Sequence, residues 1–146
     1  MPKKIKSSLL KAPARGIERV VDANFNRAKE GLRVCEDISR FMLDDKVLTS
    51  GYKAVRHDLT SAAVVFGLRE IVKARDAAGD IGRPTTVAEA KRGSIADIFY
   101  ANTQRVKESL RVLEEFAKLR GTGSAEQFKT LRYQVYGLEK KALARL

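Results

Sequence analysis

Residues 22–40, DANFNRAKEGLRVCEDISR, return 78 positions later, without a gap, as YANTQRVKESLRVLEEFAK at residues 100–118. Nine of the nineteen positions are identical: Ala23/Ala101, Asn24/Asn102, Arg27/Arg105, Lys29/Lys107, Glu30/Glu108, Leu32/Leu110, Arg33/Arg111, Val34/Val112 and Glu36/Glu114. Ordinary residue frequencies would supply roughly one or two. The echo continues downstream, where Tyr52-Lys53-Ala54-Val55-Arg56-His57 aligns with Phe128-Lys129-Thr130-Leu131-Arg132-Tyr133 at an offset of 76. Both segments carry apolar residues at helical spacing. The repeated unit is therefore a pair of helices, and two such pairs, each with one apolar stripe, can bury those stripes only against each other. The expected fold is all-α: an internally duplicated αα-hairpin forming a four-helix bundle with pseudo-twofold symmetry.

The punctuation of the chain places the elements. Residues 1–14 form a basic tail ending near Pro13, and one domain fills 15–146. A first helix is expected over about 17–42 and, after the break Leu43-Asp44-Asp45-Lys46, a second over about 51–73. The repeats then cover about 17–73 and 94–146, joined by a glycine- and aspartate-rich linker, ARDAAGDIGRPTTVAEAKRG, over 74–93. Capping-box spacings at Thr86/Glu89, Ser94/Asp97 and Ser124/Gln127 predict helix starts, and Arg120-Gly121-Thr122-Gly123 a stop. Helices of about 25 residues would each be about 37 Å long.

On a wheel with Ala23 at zero, the apolar side chains of the first helix span an arc from about 0° to about 200°. Asn24 falls inside it at about 100° and Arg27 at about 40°, while Glu30 lies at its edge. Lys29, Arg33, Glu36 and Arg40 fall opposite and read as a solvated ladder of i,i+4 pairs, worth about 0.2–0.5 kcal/mol each. A guanidinium that faces a core must be paired, because an unpaired buried charge costs several kcal/mol. Two arrangements of Arg27 and Arg105 satisfy that demand. Either they bridge to Glu30 and Glu108 as a polar network fixing the register, or they converge with Asn24 and Asn102 on an anionic ligand, using bidentate phosphate contacts. Arg56 and Arg132 lie at the edges of their own apolar faces. The linker carboxylates Asp76 and Asp80, beside Gly79 and Gly82, could hold Mg²⁺ together with a substrate phosphate, or simply cap turns. The lone His57 has Tyr133 as its repeat partner, which argues against an essential base, and Cys35 aligns with Leu113, as a small core side chain would.

The formal net charge of +11 raises nucleic acid as a partner. Five basic and no acidic residues fall in 1–16, however, leaving 24 basic against 18 acidic groups over 17–146, with the signs interspersed. Aromatic residues do not alternate with basic ones as they do in single-strand binders. A phosphorylated small molecule explains the surplus as well. No apolar run approaches the length of a membrane span, roughly 18 residues or more. No secretory signal is read, and one cysteine suits a reducing compartment, so the cytoplasm is expected. No phosphate loop, dinucleotide fingerprint, His/Cys metal cluster or di-iron Glu-x-x-His pair is present.

Taken together, Asp22-Ala23-Asn24-x-Asn26-Arg27-Ala28-x-Glu30-Gly31-Leu32-Arg33-Val34-x-Glu36-Asp37, Lys53-x-x-Arg56-His57, the linker Arg75-Asp76-x-x-Gly79-Asp80-x-Gly82, Ala101-Asn102-x-x-Arg105-x-x-Glu108 and Leu131-Arg132-Tyr133-x-x-Tyr136-x-Leu138-Glu139 resemble a known domain. It is the helical domain preceding the synthase barrel in long-form thiamin-phosphate synthases. The resemblance implies a place in thiamin metabolism, as an alternative kinase taking hydroxymethylpyrimidine phosphate to its diphosphate with ATP and Mg²⁺. On that reading Arg27, Arg56, Arg105 and Arg132 neutralise phosphates, Asn24 and Asn102 position ligand, Glu30, Glu108 and Asp80 act as catalytic carboxylates, and Asp76 with Asp80 holds metal. The alternatives are a non-catalytic module that binds a phosphorylated thiamin precursor or docks to a separate thiamin-phosphate synthase, and a basic nucleic-acid binder. A homo-oligomer is compatible with each.

Overall fold

The computed structural model describes residues 8–121 and 123–146, with side chains from Arg15 onward. Residues 1–7 of the flexible basic tail expected over 1–14 lie outside the described residues, and 8–14 are helical instead, the first turns of the chain's first helix. Among the described residues five α-helices follow one another: α1 (Ser8–Asp37), α2 (Lys46–Ala63), α3 (Leu68–Lys73), α4 (Ile95–Ala117) and α5 (Ser124–Leu143). No strand occurs among the described residues.

The boundaries follow local chemistry. α1 begins at Ser8, earlier than the sequence pattern indicates, and runs into a π-helical turn over Ile38–Met42, where Ser39 Oγ donates to the Cys35 carbonyl at 2.8 Å. Asp44 takes the left-handed conformation (φ 48°), and Asp45 caps α2 by accepting the Leu48 amide at 2.9 Å. The second helix does not run unbroken to Lys73. It tightens into a 3₁₀ turn at Val64–Phe66 and stops at Gly67, whose φ of 74° is open to a residue without Cβ. The linker's capping box forms, with Glu89 N 3.3 Å from Thr86 Oγ1, yet yields a single turn instead of a helix. Ser94 caps α4 as expected. Ser124 does not cap α5; Gly123 occupies that position without a side-chain bond.

The four long helices close a ring in which α1 packs on α2 and α4, and α5 packs on α4 and α2. α1 and α4 cross antiparallel and close together. A Cβ on Gly31 would lie 2.6 Å from Val106 Cγ2 and 3.0 Å from the Asn102 carbonyl, and Cys35 Sγ lies 3.4 Å from Thr103 Oγ1. The core holds Leu32, Leu59, Leu110, Leu113 and Val135, with Tyr52 edge-on to Phe99 toward one end and Phe66 against Phe128 toward the other. Among the described residues the buried Tyr52 hydroxyl finds no partner. The linker after α3 stays exposed and returns the chain along the outside of the bundle.

Candidate functional site

The first half of α1 and the start of the linker enclose an open pocket of about 870 Å³. Residues 19, 23, 27 and 30 of α1 succeed one another at three- and four-residue spacing, so they share a face. Across from them stand Arg75, Asp76 and Asp80, and α4 contributes Val112. One strong contact fastens the linker here. Buried Asp22 accepts Arg75 Nε at 2.7 Å and Arg75 Nη2 at 2.8 Å. This is the fork-on-carboxylate geometry that makes arginine pairs strong. That carboxylate raises the Arg75 guanidinium above its ordinary range through the hydrogen bond and its charge. Asn26 Nδ2 adds a 3.3 Å contact to Asp22 Oδ1. Buried Asn24 donates to the Val20 carbonyl at 2.9 Å, and Asn102 makes the same bond to Ile98 at 2.8 Å. Asp76 and Asp80 cap turns by accepting the amides of Gly79 and Gly82, both at 2.9 Å.

Five of the residues singled out from sequence meet in this pocket: Asn24, Arg27, Glu30, Asp76 and Asp80. The other five do not. Asn102, Arg105 and Glu108 belong to α4, which runs antiparallel to α1, and none of the three lines this pocket. Arg27 and Arg105 are also exposed, not core-facing, and no bridge from either to Glu30 or Glu108 occurs among the described residues. The wheel misplaced them because α4 covers only part of that flank of α1 and leaves its outer edge as a groove.

Of the residues expected on a solvated ladder, Arg33 and Arg40 are exposed, but Glu36 and Lys29 are drawn against α2. Glu36 is 3% exposed and accepts Arg56 Nε at 2.7 Å, with Arg33 Nη1 at 3.4 Å. The second half contains the same arrangement: Glu114 is buried, Arg132 Nη2 lies 2.9 Å from it, and Arg111 Nη1 lies 3.5 Å away. Arg56 and Arg132 therefore tie each hairpin together. Their interhelical role was signalled by the identity of Glu36/Glu114 and Arg56/Arg132 in both halves. Burial pushes the Glu36 carboxyl up, but the Arg56 hydrogen bond and charge, with Arg33 and Lys53, outweigh it and hold Glu36 below the usual carboxylate range. His57 is exposed. Cys35 is buried and its thiol is pushed up to about 11 by desolvation, so it is no nucleophile. Among the described residues no three His, Cys, Asp or Glu side chains are grouped to hold a metal ion, and no helix is long and apolar enough to cross a membrane.

Fold and site together define a helical-bundle protein with a polar pocket in which arginines and carboxylates face one another. The chain belongs to the ThiD2 family, whose match spans residues 19–141. It is similar to proteins named thiamine-phosphate synthase: 38% identical over 126 residues to that of Rhodopirellula baltica, and 41% over 128 residues to those of Synechocystis sp. and Nostoc punctiforme. These alignments cover 86%, 87% and 87% of this chain but 34%, 36% and 35% of the relatives. The chain thus spans about a third of their length, and by sequence it is a relative of thiamine-biosynthesis proteins. No solved structure matches it.

Proposed function

We propose that this chain acts in thiamin biosynthesis as a phosphotransferase, converting hydroxymethylpyrimidine phosphate to its diphosphate with Mg²⁺ and ATP. The observation that carries this reading is the charge of the α1–linker pocket. Arg19, Arg27 and Arg75 face Asp22, Glu30, Asp76 and Asp80, three positive charges against four negative. That surplus of carboxylate repels a bare polyphosphate and suits one accompanied by a divalent cation. Magnesium commonly takes only one or two protein carboxylates when phosphates supply other ligands. Asp76 and Asp80 each keep one carboxylate oxygen after capping their turns, and they would hold it. Bound there, it would neutralise charge on the phosphate oxygens.

In the transfer, an oxygen of the acceptor phosphate forms a bond to the γ-phosphorus of ATP. The bond from that phosphorus to the β-bridging oxygen breaks, and ADP leaves with the electron pair. A phosphate monoester has its second pKa near 6, so about nine-tenths of the acceptor is dianionic at neutral pH and no strong base is required. The chain's task is positioning and charge neutralisation. Arg19 and Arg27 supply guanidinium donors, Asn24 lines the wall between them, and Glu30 and Asp80 orient their neighbours. The Asp22–Arg75 contact keeps the linker wall in place. Arg132 remains the structural partner of Glu114, while Asn102, Arg105 and Glu108 lie outside this pocket.

Incubating the purified chain with hydroxymethylpyrimidine phosphate, Mg²⁺ and ATP is expected to release ADP and form the diphosphate. Arg27→Ala should lower kcat/KM about 10²–10³-fold, as loss of a transition-state donor does. The likeness to proteins named thiamine-phosphate synthase favours a second reading, a non-catalytic module docking to a separate synthase. Saturable binding of the pyrimidine phosphate without ADP release would select that reading and reject the kinase.

A further inference from the structure

The two halves share a framework but differ at one spot. In the second half, Lys107 Nζ lies 2.9 Å from Glu139, and the Tyr136 ring covers the place, 5.7 Å from both Lys107 and Arg132, with its hydroxyl accepting from Arg132 at 2.7 Å. Seventy-six positions earlier, Tyr136 and Glu139 correspond to Thr60 and Ala63. Neither side chain can fill the space or match the charge. Lys29, the counterpart of Lys107, instead donates to Thr60 Oγ1 at 2.7 Å and to the Arg56 carbonyl at 3.1 Å. Among the described residues it has no carboxylate within ion-pair distance. One of its three ammonium hydrogens is left over.

Ala63 is buried in the core, but Thr60 leaves the surface over Lys29 without the ring that Tyr136 lays over Lys107. A pocket of about 430 Å³ is lined by Lys29, Arg33, Arg56, Val34, Glu30 and Asp37. Asp37 is engaged by Arg33 at 3.8 Å, and the carboxylate beneath, Glu36, by Arg56 and Arg33. Three cations therefore meet three carboxylates, the two committed ones and Glu30, whereas in the second half Glu139 adds a carboxylate that Lys29 lacks. Burial and the charge of Arg56 pull the Lys29 ammonium below its ordinary range, and the charge of Glu36 offsets them only in part. The remaining acid, Glu30, lines this pocket and the α1–linker pocket alike, so the two adjoin along one face of α1.

We propose that the Lys29–Arg33–Arg56 pocket is a second anion subsite, which takes the phosphate monoester of the acceptor beside the pocket for the metal-bound nucleotide. The identity of the ligand rests on the phosphotransferase reading; its anionic class rests on the geometry alone. A kinase that joins two phosphates needs two adjacent places to neutralise them, and only one accompanies the metal. The repeat would then have been divided in use, the first half open for ligand and the second closed by its own side chains.

The subsite is tested with the full chain and inorganic phosphate as probe, read by amide chemical shifts. Saturable shifts are expected over residues 29–37 and 56–60. Lys29→Gln should weaken phosphate binding by about tenfold or more, the usual scale for a charge-assisted contact, and Lys107→Gln should leave it unchanged. In turnover, Lys29→Gln should raise KM for the pyrimidine phosphate and not for ATP. Thr60→Tyr should cover Lys29 as Tyr136 covers Lys107 and weaken phosphate binding. Shifts confined to residues 16–27 and 75–80, equal weakening in Lys107→Gln, or no phosphate binding would overturn the subsite. Local phosphate shifts without ADP formation would uphold it and reject the kinase.

Discussion

Replacing Arg56 by Met separates the charge of the Glu36–Arg56 pair from the packing of its stem. Met fills the aliphatic part of the arginine and leaves Glu36, 3% exposed, without the 2.7 Å contact that holds it. Breaking a buried pair from one side costs about 3–5 kcal/mol. Arg33 stays at 3.4 Å but is itself half in solvent, so it compensates little. The low end, about 3 kcal/mol, applies. For a domain of this size that lowers Tm by roughly 6–12 °C. The pH dependence has a definite sign. In the native protein Glu36 lies below its usual range, so the pair's contribution is complete above the unfolded carboxylate pKa and fades as pH falls through the folded one. In the variant, burial dominates and moves Glu36 upward, so the variant takes up its proton first. Urea unfolding of both proteins from pH 7 to pH 4 should show a stability gap that narrows with acid. A gap below about 0.5 kcal/mol at pH 7, the ordinary range for a surface substitution, or one that widens toward pH 4, would refute the view that Glu36 is a buried, paired carboxylate.

Two further outcomes test the packing. A Cβ at Gly31 would meet the Asn102 carbonyl, which is backbone, whereas one at Gly137 would stand in open space. Gly31→Ala should therefore destabilise by about 1 to about 2 kcal/mol despite better helix propensity. Gly137→Ala should gain about 0.5 to about 1 kcal/mol. Thermal melts of the two variants read the contrast, and equal shifts would remove the close α1–α4 crossing from the account. Tyr52→Phe removes a buried hydroxyl that finds no partner among the described residues while keeping the ring against Phe99. Chemical unfolding should show unchanged or higher stability, by up to about 1 kcal/mol.

The helical class, the break at Leu43–Lys46 and the exposed linker were legible because each depends on chemistry within a few residues. So was half of the candidate pocket: Asn24, Arg27 and Glu30 share a helix face, and the Asp76/Asp80 run lies next in the fold. Their meeting was not legible, since it depends on Asp22 and Arg75, 53 positions apart, joining across space. In the sequence, Arg75 and Asp22 stand out only as members of longer motifs.

A helical wheel gives the angle of a side chain but not how far a neighbouring helix extends over it. Glu36 belonged to the polar side until α2 brought Arg56 across it, and Arg27 to the apolar side until α4 left that edge uncovered. The direction in which α4 runs was equally undetermined by the repeat, and Asn102, Arg105 and Glu108 fall outside the pocket. The amino-acid sequence by itself determined that the chain forms helices with one apolar face each and that its halves echo one another, because helix period and side-chain hydrophobicity are local properties. Only the tertiary structure decided which polar residues are buried, which converge, and which copy of the framework is left open. Those outcomes depend on the relative placement of whole helices.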